Sequence, residues 1–209
     1  MSSPLLDLLR TDPLTFVLLA LGLIEALALH EYAHALAADL QGDRMPRAFG
    51  RLTLNPAKHL DPLGTIMIFL VGFGWGKPVE FRPAALSSKR FGAAIVALAG
   101  PLMNVALATL SALAASLLPI ETNGVLFRFL YIFFSLNVIL AVFNLLPLPP
   151  LDGSRLLTIF LPPKRQNIIY FLDKYGFIIL LALVFFGGLR FIDPLIEGLR
   201  NVILNLTGH

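Results

Sequence analysis

Apolar residues in this chain come in long unbroken runs rather than in strict alternation. A run of about 20 apolar residues predicts a transmembrane helix. Four runs reach that length, at roughly 13–38, 91–118, 125–146 and 168–189. A fifth, "PLGTIMIFLVGFGW" at 62–75, has only 14 residues and carries several glycines. It is short for a crossing and suits a re-entrant or interfacial piece. Stretch 193–206 is amphipathic and is expected on the surface or against the bundle. The start, "MSSPLLDLLRTDP", lacks a basic region and a small-residue cleavage site, so it reads as an interfacial arm rather than a removed signal. Between the first two long runs, "GRLTLNP" and "GKPVEFRP" alternate Leu52 with Leu54 and Val79 with Phe81 between Gly and Pro, which predicts short strands. The expected fold is an all-α polytopic membrane protein, one domain over residues 1–209. It has about four full transmembrane helices, a short re-entrant segment and a small β element at the cytoplasmic mouth.

Composition agrees. The chain is 57% hydrophobic and 14% charged, with a mean hydropathy of +0.81. A soluble domain is about half apolar and about a quarter charged. There is no cysteine, which excludes disulfides and thiolate metal ligands. Any metal must be held by His, Asp or Glu, and only four histidines are present. Nothing points to nucleic acid; the expected surroundings are lipid. Charge settles the topology. If 62–75 does not cross, one side holds Arg44, Arg47, Arg51, Lys58, Lys77, Arg82, Lys89, Arg90, Arg155, Lys164 and Arg165. The other side holds Arg10, Arg190, Arg200 and the edge residue Arg128. Lys and Arg mark the cytoplasmic side. The reading is a multi-pass protein of the cell membrane with its N-terminus outside.

The chemistry sits in the first long run, at "HEYAH" (30–34). His30 and His34, four residues apart, share one helix face and can grip one ion. Glu31 projects about 100° away, within reach of a water at that ion without being a ligand. This is the H-E-x-x-H arrangement of zinc metalloproteases, with Glu as general base. Three fixed positions in five also arise by chance, as two interfacial histidines and a snorkelling Glu. Their place inside a span, about two turns from its polar end, favours function, because ionisable groups there are costly. The site is thus within the bilayer near its cytoplasmic face. A catalytic zinc site needs three protein ligands. His209 is terminal. Asp152, in "FNLLPLPPLDGSR", is the best third ligand, since prolines 147, 149 and 150 unwind the chain at the same membrane depth. It shares a side with the histidines only if 62–75 does not cross, as the charges require.

Taken together, HEYAH, the G-x-x-x-N of "GPLMN" (100–104) and "NLLPLPPLDG" (144–153) resemble the site-2 protease family of intramembrane zinc metalloproteases. "GRLTLNPAKHLDPLGT" (50–65) resembles its compact bacterial and archaeal branch. The resemblance runs in order from the first long run through the third. It implies one zinc per chain on His30, His34 and Asp152, with Glu31 as base. It gives Asn144 a part in holding the substrate strand or the developing oxyanion, and it places Asn104 on a neighbouring core helix. No span precedes the HExxH helix here, and no PDZ or CBS domain is evident. The expected activity is an endopeptidase cutting within or near transmembrane helices of other membrane proteins, as in regulated intramembrane proteolysis. Asn104 and His59 are candidates for supporting the ligands or touching substrate; the bland reading makes Asn104 an interhelical hydrogen bond and His59, with Asp61, part of a turn. Glu25, mid-span, points away from the His30 face. The competing function is a small transporter or channel, in which the Gly-rich run and the Pro-broken helix end line an ion path and HExxH is incidental.

Overall fold

Asp12 opens the first long helix. Its carboxylate accepts from the Thr15 amide at 3.1 Å and the Thr15 hydroxyl at 2.7 Å, and Pro13 fills the first turn. The computed structural model describes residues 4–71, 74–160 and 166–208. Among these, the α-helices are α1 (Pro4–Thr11), α2 (Pro13–Leu40), α3 (Met45–Ala48), α4 (Pro62–Val71), α5 (Lys89–Leu117), α6 (Val125–Asn144), α7 (Gly153–Phe160), α8 (Gln166–Phe185) and α9 (Asp193–Thr207). Four are long and apolar enough to cross a membrane: Pro13–Leu40, Phe91–Leu117, Val125–Asn144 and Asn167–Phe185. They match the four long runs to within a few residues. His209, Lys164 and Arg165 fall outside the described residues.

The core is a bundle of α2, α5 and α6. Small residues let the backbones approach. Gly22 of α2 faces Leu136 and Phe133 of α6, where an added methyl would sit 3.3 Å from Leu136 Cδ1. Arg128, in the first turn of α6, is paired with Asp12 at the start of α2. Those two helices therefore begin at the same end, and α5 runs between them in the opposite sense. The amphipathic C-terminal stretch packs on the bundle as α9. Its Ile203 is buried with Ala108 and Ala112 of α5 and Phe134 and Val138 of α6. On another side Leu180 of α8 joins Val142, Leu146, Leu151 and Ile192.

The short run 62–75 behaves as a re-entrant piece. α4 has 10 residues, about 15 Å of helix against about 30 Å of hydrocarbon. The chain then doubles back along it. An added methyl on Gly64 would lie 2.1 Å from the Trp75 carbonyl oxygen, and one on Gly74 would lie 2.0 Å from the Gly64 oxygen. Only glycine permits backbones this close. The two ends of the segment meet. The Lys77 amide donates to the His59 carbonyl at 2.7 Å, and Leu60 bridges to Gly76. The chain thus enters and leaves at one level, which puts residues 41–61 and 77–88 on one side of the bundle, as the charges required.

The expected small β element is absent among the described residues. An isolated bridge joins Leu60, outside the first candidate strand, to Gly76 at the start of the second. Three local facts explain it. Gly50 is left-handed, with φ +66°, and Asn55 caps a 3-10 turn at Pro56–Lys58, so the first candidate strand is bent at both ends. Pro78 in the second has no N–H to give a ladder. The Arg82 amide is taken by the Asp43 carboxylate instead. Asp43 is fully buried and also accepts from the Met45 amide at 3.1 Å and Arg82 Nη2 at 3.1 Å. It ties the start of this polar segment to its end.

Candidate metal centre

His30 and His34 follow one another on the inner face of α2, 4% and 6% exposed. Each ring is pinned through Nδ1. The His34 Nδ1 lies 2.7 Å from the Val96 carbonyl oxygen on α5, and the His30 Nδ1 lies 2.6 Å from Asn104 Oδ1. A carbonyl oxygen can only accept. Asn104 Nδ2 is already donating to Asn137 Oδ1 at 2.8 Å, so its Oδ1 is also an acceptor. Both imidazoles therefore donate from Nδ1, and each neutral ring keeps its lone pair on Nε2. Asn137 Nδ2 in turn donates to the Phe133 carbonyl at 2.8 Å. The chain from His30 through Asn104 and Asn137 to the α6 backbone is complete, and both asparagines are fully buried.

Asp152 arrives from the other side. α6 stops at Asn144, and Pro147, Pro149 and Pro150 cannot continue it. Tight turns join Leu148 to Leu146 and Leu151 to Leu148. Gly153 then opens α7 so close to the end of α6 that an added methyl would lie 2.1 Å from the Leu145 oxygen. This turn aims Asp152 at the histidines. Its Oδ2 lies 3.0 Å from His30 Nε2 and 3.2 Å from His34 Nε2, and the two Nε2 atoms are 3.0 Å apart.

Three lone-pair atoms thus converge, and the other nitrogen of each imidazole is committed. Such a set repels itself unless a cation sits between. Tetrahedral zinc with bonds of about 2.0–2.1 Å separates its ligands by about 3.3 Å, close to the 3.0–3.2 Å seen here. These residues fit zinc. Room for it comes from Gly100 of α5, where an added methyl would sit 2.4 Å from His34 Nε2 and 2.6 Å from His30 Nε2. Glu31 stands beside the cluster without joining it. Its Oε2 is buried with no hydrogen-bond partner. Gly76, where the re-entrant segment returns, faces its Oε1, 3.3 Å from where a methyl would be.

The structure brings together His30, His34, Asp152 and Glu31, with Asn104 behind His30. The side chains of Asn144 and His59 are bonded to backbone carbonyls instead. The Asn144 amide donates back to the Leu140 carbonyl at 3.0 Å. His59 is fully buried, and its Nε2–H donates to the Thr53 carbonyl at 2.8 Å. Burial pushes its pKa down, against the hydrogen bond to Thr53, and the nearby Arg51 charge adds to the lowering. Three residues escaped the sequence reading: Asn137, Gly100 and Arg51. Asn137 carried a signal, being an amide inside a span. Gly100 was seen as part of a motif without its reason.

The asparagine chain makes a prediction. Asn137→Leu leaves Asn104 free to turn and His30 free to change tautomer. Zinc affinity is expected to fall about 10–100-fold, read by competition against chelators of graded strength. Unchanged affinity would show that Asn104 holds His30 unaided.

Comparison with known proteins places the chain. The family model for Peptidase family M50 matches residues 18–120 and 118–183. The Bacillus subtilis protein called "Putative zinc metalloprotease YwhC" is 38% identical over 197 residues, 90% of each chain. Rip2 of Mycobacterium tuberculosis, with the same description, is 33% identical over 189 residues, 88% of this chain and 70% of that one. Rip2 of Mycolicibacterium smegmatis is 33% identical over 175 residues, covering 81% of this chain and 67% of its own. No solved structure matches. A His-His-Asp set among apolar helices, both histidines buried, and a family match along most of the chain agree: this protein belongs to peptidase family M50 and is a metalloprotease of the membrane.

Proposed function

We propose that this chain is an intramembrane zinc endopeptidase that cuts other membrane proteins within or near a transmembrane helix. The observation that carries the reading is the convergence of His30, His34 and Asp152 inside a bundle of spans, with Glu31 beside them and its Oε2 free of hydrogen bonds. Bound zinc supplies Lewis-acid activation of water and of the scissile carbonyl. Glu31 takes the proton from the attacking water as oxygen adds to the carbonyl carbon. It then gives that proton to the amine nitrogen as the C–N bond breaks. Asn144 is assigned to the substrate strand or the developing oxyanion; for that its amide must turn away from Leu140. α2 ends at Leu40, so His30 lies about 15 Å from that end. With the Lys and Arg distribution, this supports an active site near the cytoplasmic face and an outside N-terminus. The partners are lipid and the helical segment of a substrate.

A substrate helix keeps its amides in its own hydrogen bonds, so it must unwind before attack. Two substrates in the same vesicles test this. One carries a rigid poly-Leu helix, the other Gly and Asn at the same depth. The second is expected to be cut about tenfold faster or more, since each Gly weakens a helix by about 1 kcal/mol. Equal rates would sink the unwinding step, and no cutting of either by zinc-loaded protein would sink the protease reading.

A further inference from the structure

We propose that Arg51 is a positioning residue for Glu31, acting by clasping the neck of the re-entrant segment. The proposal rests on Glu31 being the general base. Arg51 is only 6% exposed, and a buried guanidinium is tolerated where its donors are satisfied. Its Nη1 donates to the Lys58 carbonyl and its Nη2 to the Lys77 carbonyl. Those two positions flank the segment on either side, where the Lys77 amide also meets the His59 carbonyl. One planar fork therefore spans both chains of the neck. Nη2 also lies 4.0 Å from Glu31 Oε2, close enough to attract the carboxylate but too far to bond it.

Glu31 is thus walled on two sides. Gly76, part of the same neck, stands beside Oε1, and the Arg51 charge stands beside the otherwise partnerless Oε2. Arg51 is buried, with one N–H of each Nη taken by a backbone carbonyl, so its proposed action is through Glu31. A lysine could not replace it fully, because one ammonium cannot reproduce a fork that reaches two carbonyls in fixed geometry.

The test makes Arg51→Met and Arg51→Lys in the native chain and in a Glu31→Gln chain. Three quantities are read: zinc per chain, kcat and KM on a reconstituted transmembrane substrate, and the thermal midpoint of zinc-free protein in detergent. A displaced base lowers kcat about 100-fold in Arg51→Met while zinc stays near one and KM within about threefold. Arg51→Lys recovers part of that loss. In the Glu31→Gln chain, Arg51→Met costs no further turnover, and the midpoint shifts of the two substitutions are less than additive. Additive midpoints, with the same kcat loss on the Glu31→Gln chain, would overturn the proposal and leave Arg51 a part of the fold alone. If Arg51→Met does not fold, Arg51→Lys carries the same comparison, with additivity again the overturning result. Native protein that binds zinc and cuts nothing would defeat the protease reading, while the midpoint coupling would still decide the Arg51–Glu31 link.

Discussion

A Glu31→Gln protein is expected to keep one zinc per chain and to lose about 10³–10⁴-fold of its turnover, the upper range for removing a general base. The two effects separate because of where Glu31 sits. The converging atoms belong to His30, His34 and Asp152, and Glu31 is not among them. Gln has the same shape, so the wall formed by Gly76 and Arg51 is kept. What is lost is the ability to take a proton from water and return it to the amine. Metal analysis and kcat on the same preparation check both halves. Turnover within tenfold of native would remove Glu31 from the role of base. Loss of zinc together with turnover would make it a ligand or a structural support. A transporter has no reason to show this split, so the same pair of numbers rejects that reading.

Gly100→Ala is expected to empty the metal centre as completely as Asp152→Ala. The added methyl would lie 2.4 Å from His34 Nε2, 2.5 Å from His30 Cε1 and 2.6 Å from His30 Nε2, on the nitrogen edges that must face the ion. α5 cannot back away without breaking the His34 contact to Val96 on one side and the His30 contact to Asn104 on the other. Rotating the imidazoles costs the same bonds. Yet alanine favours a helix over glycine by about 1 kcal/mol, so α5 itself should form at least as well. The signature is a chain with native helix content and near-zero zinc, read by circular dichroism and metal analysis on one sample. Full zinc in Gly100→Ala would mean that α5 can shift, and that the closeness of Gly100 is not what makes room for the ion. Asp152→Ala supplies the scale, since it removes one of three ligands outright.

Most of the skeleton was legible because apolar length is a local property. The spans, the shortness of 62–75 and the side it must return to all followed from run length and from where Lys and Arg fall. HEYAH placed two candidate ligands and a candidate base on one helix by spacing alone. Asp152 needed one more step, a polar residue after a proline-broken helix end at matching depth. The strands failed for a reason equally local but not readable from alternation: a ladder needs free amides on both strands, and here Pro78 has none while Arg82 spends its amide on Asp43. Asn144, 8 residues before Asp152 in sequence, ends α6 and bonds back to its own helix.

What the sequence determined by itself was the medium, the number of crossings and the chemistry: apolar helices, a His-His-Asp ligand set and a carboxylate beside it. What only the tertiary structure decided was how that chemistry is held. The Nδ1 protons are fixed by Val96 and Asn104, 62 and 74 residues away along the chain. Gly100 makes the space for the ion from a different helix. Arg51 reaches Glu31 only because the chain returns through Gly76 to close the neck. Tautomer, clearance and the set of a carboxylate depend on atoms brought within a few ångströms by packing, and no one-dimensional pattern records which helix face will supply them.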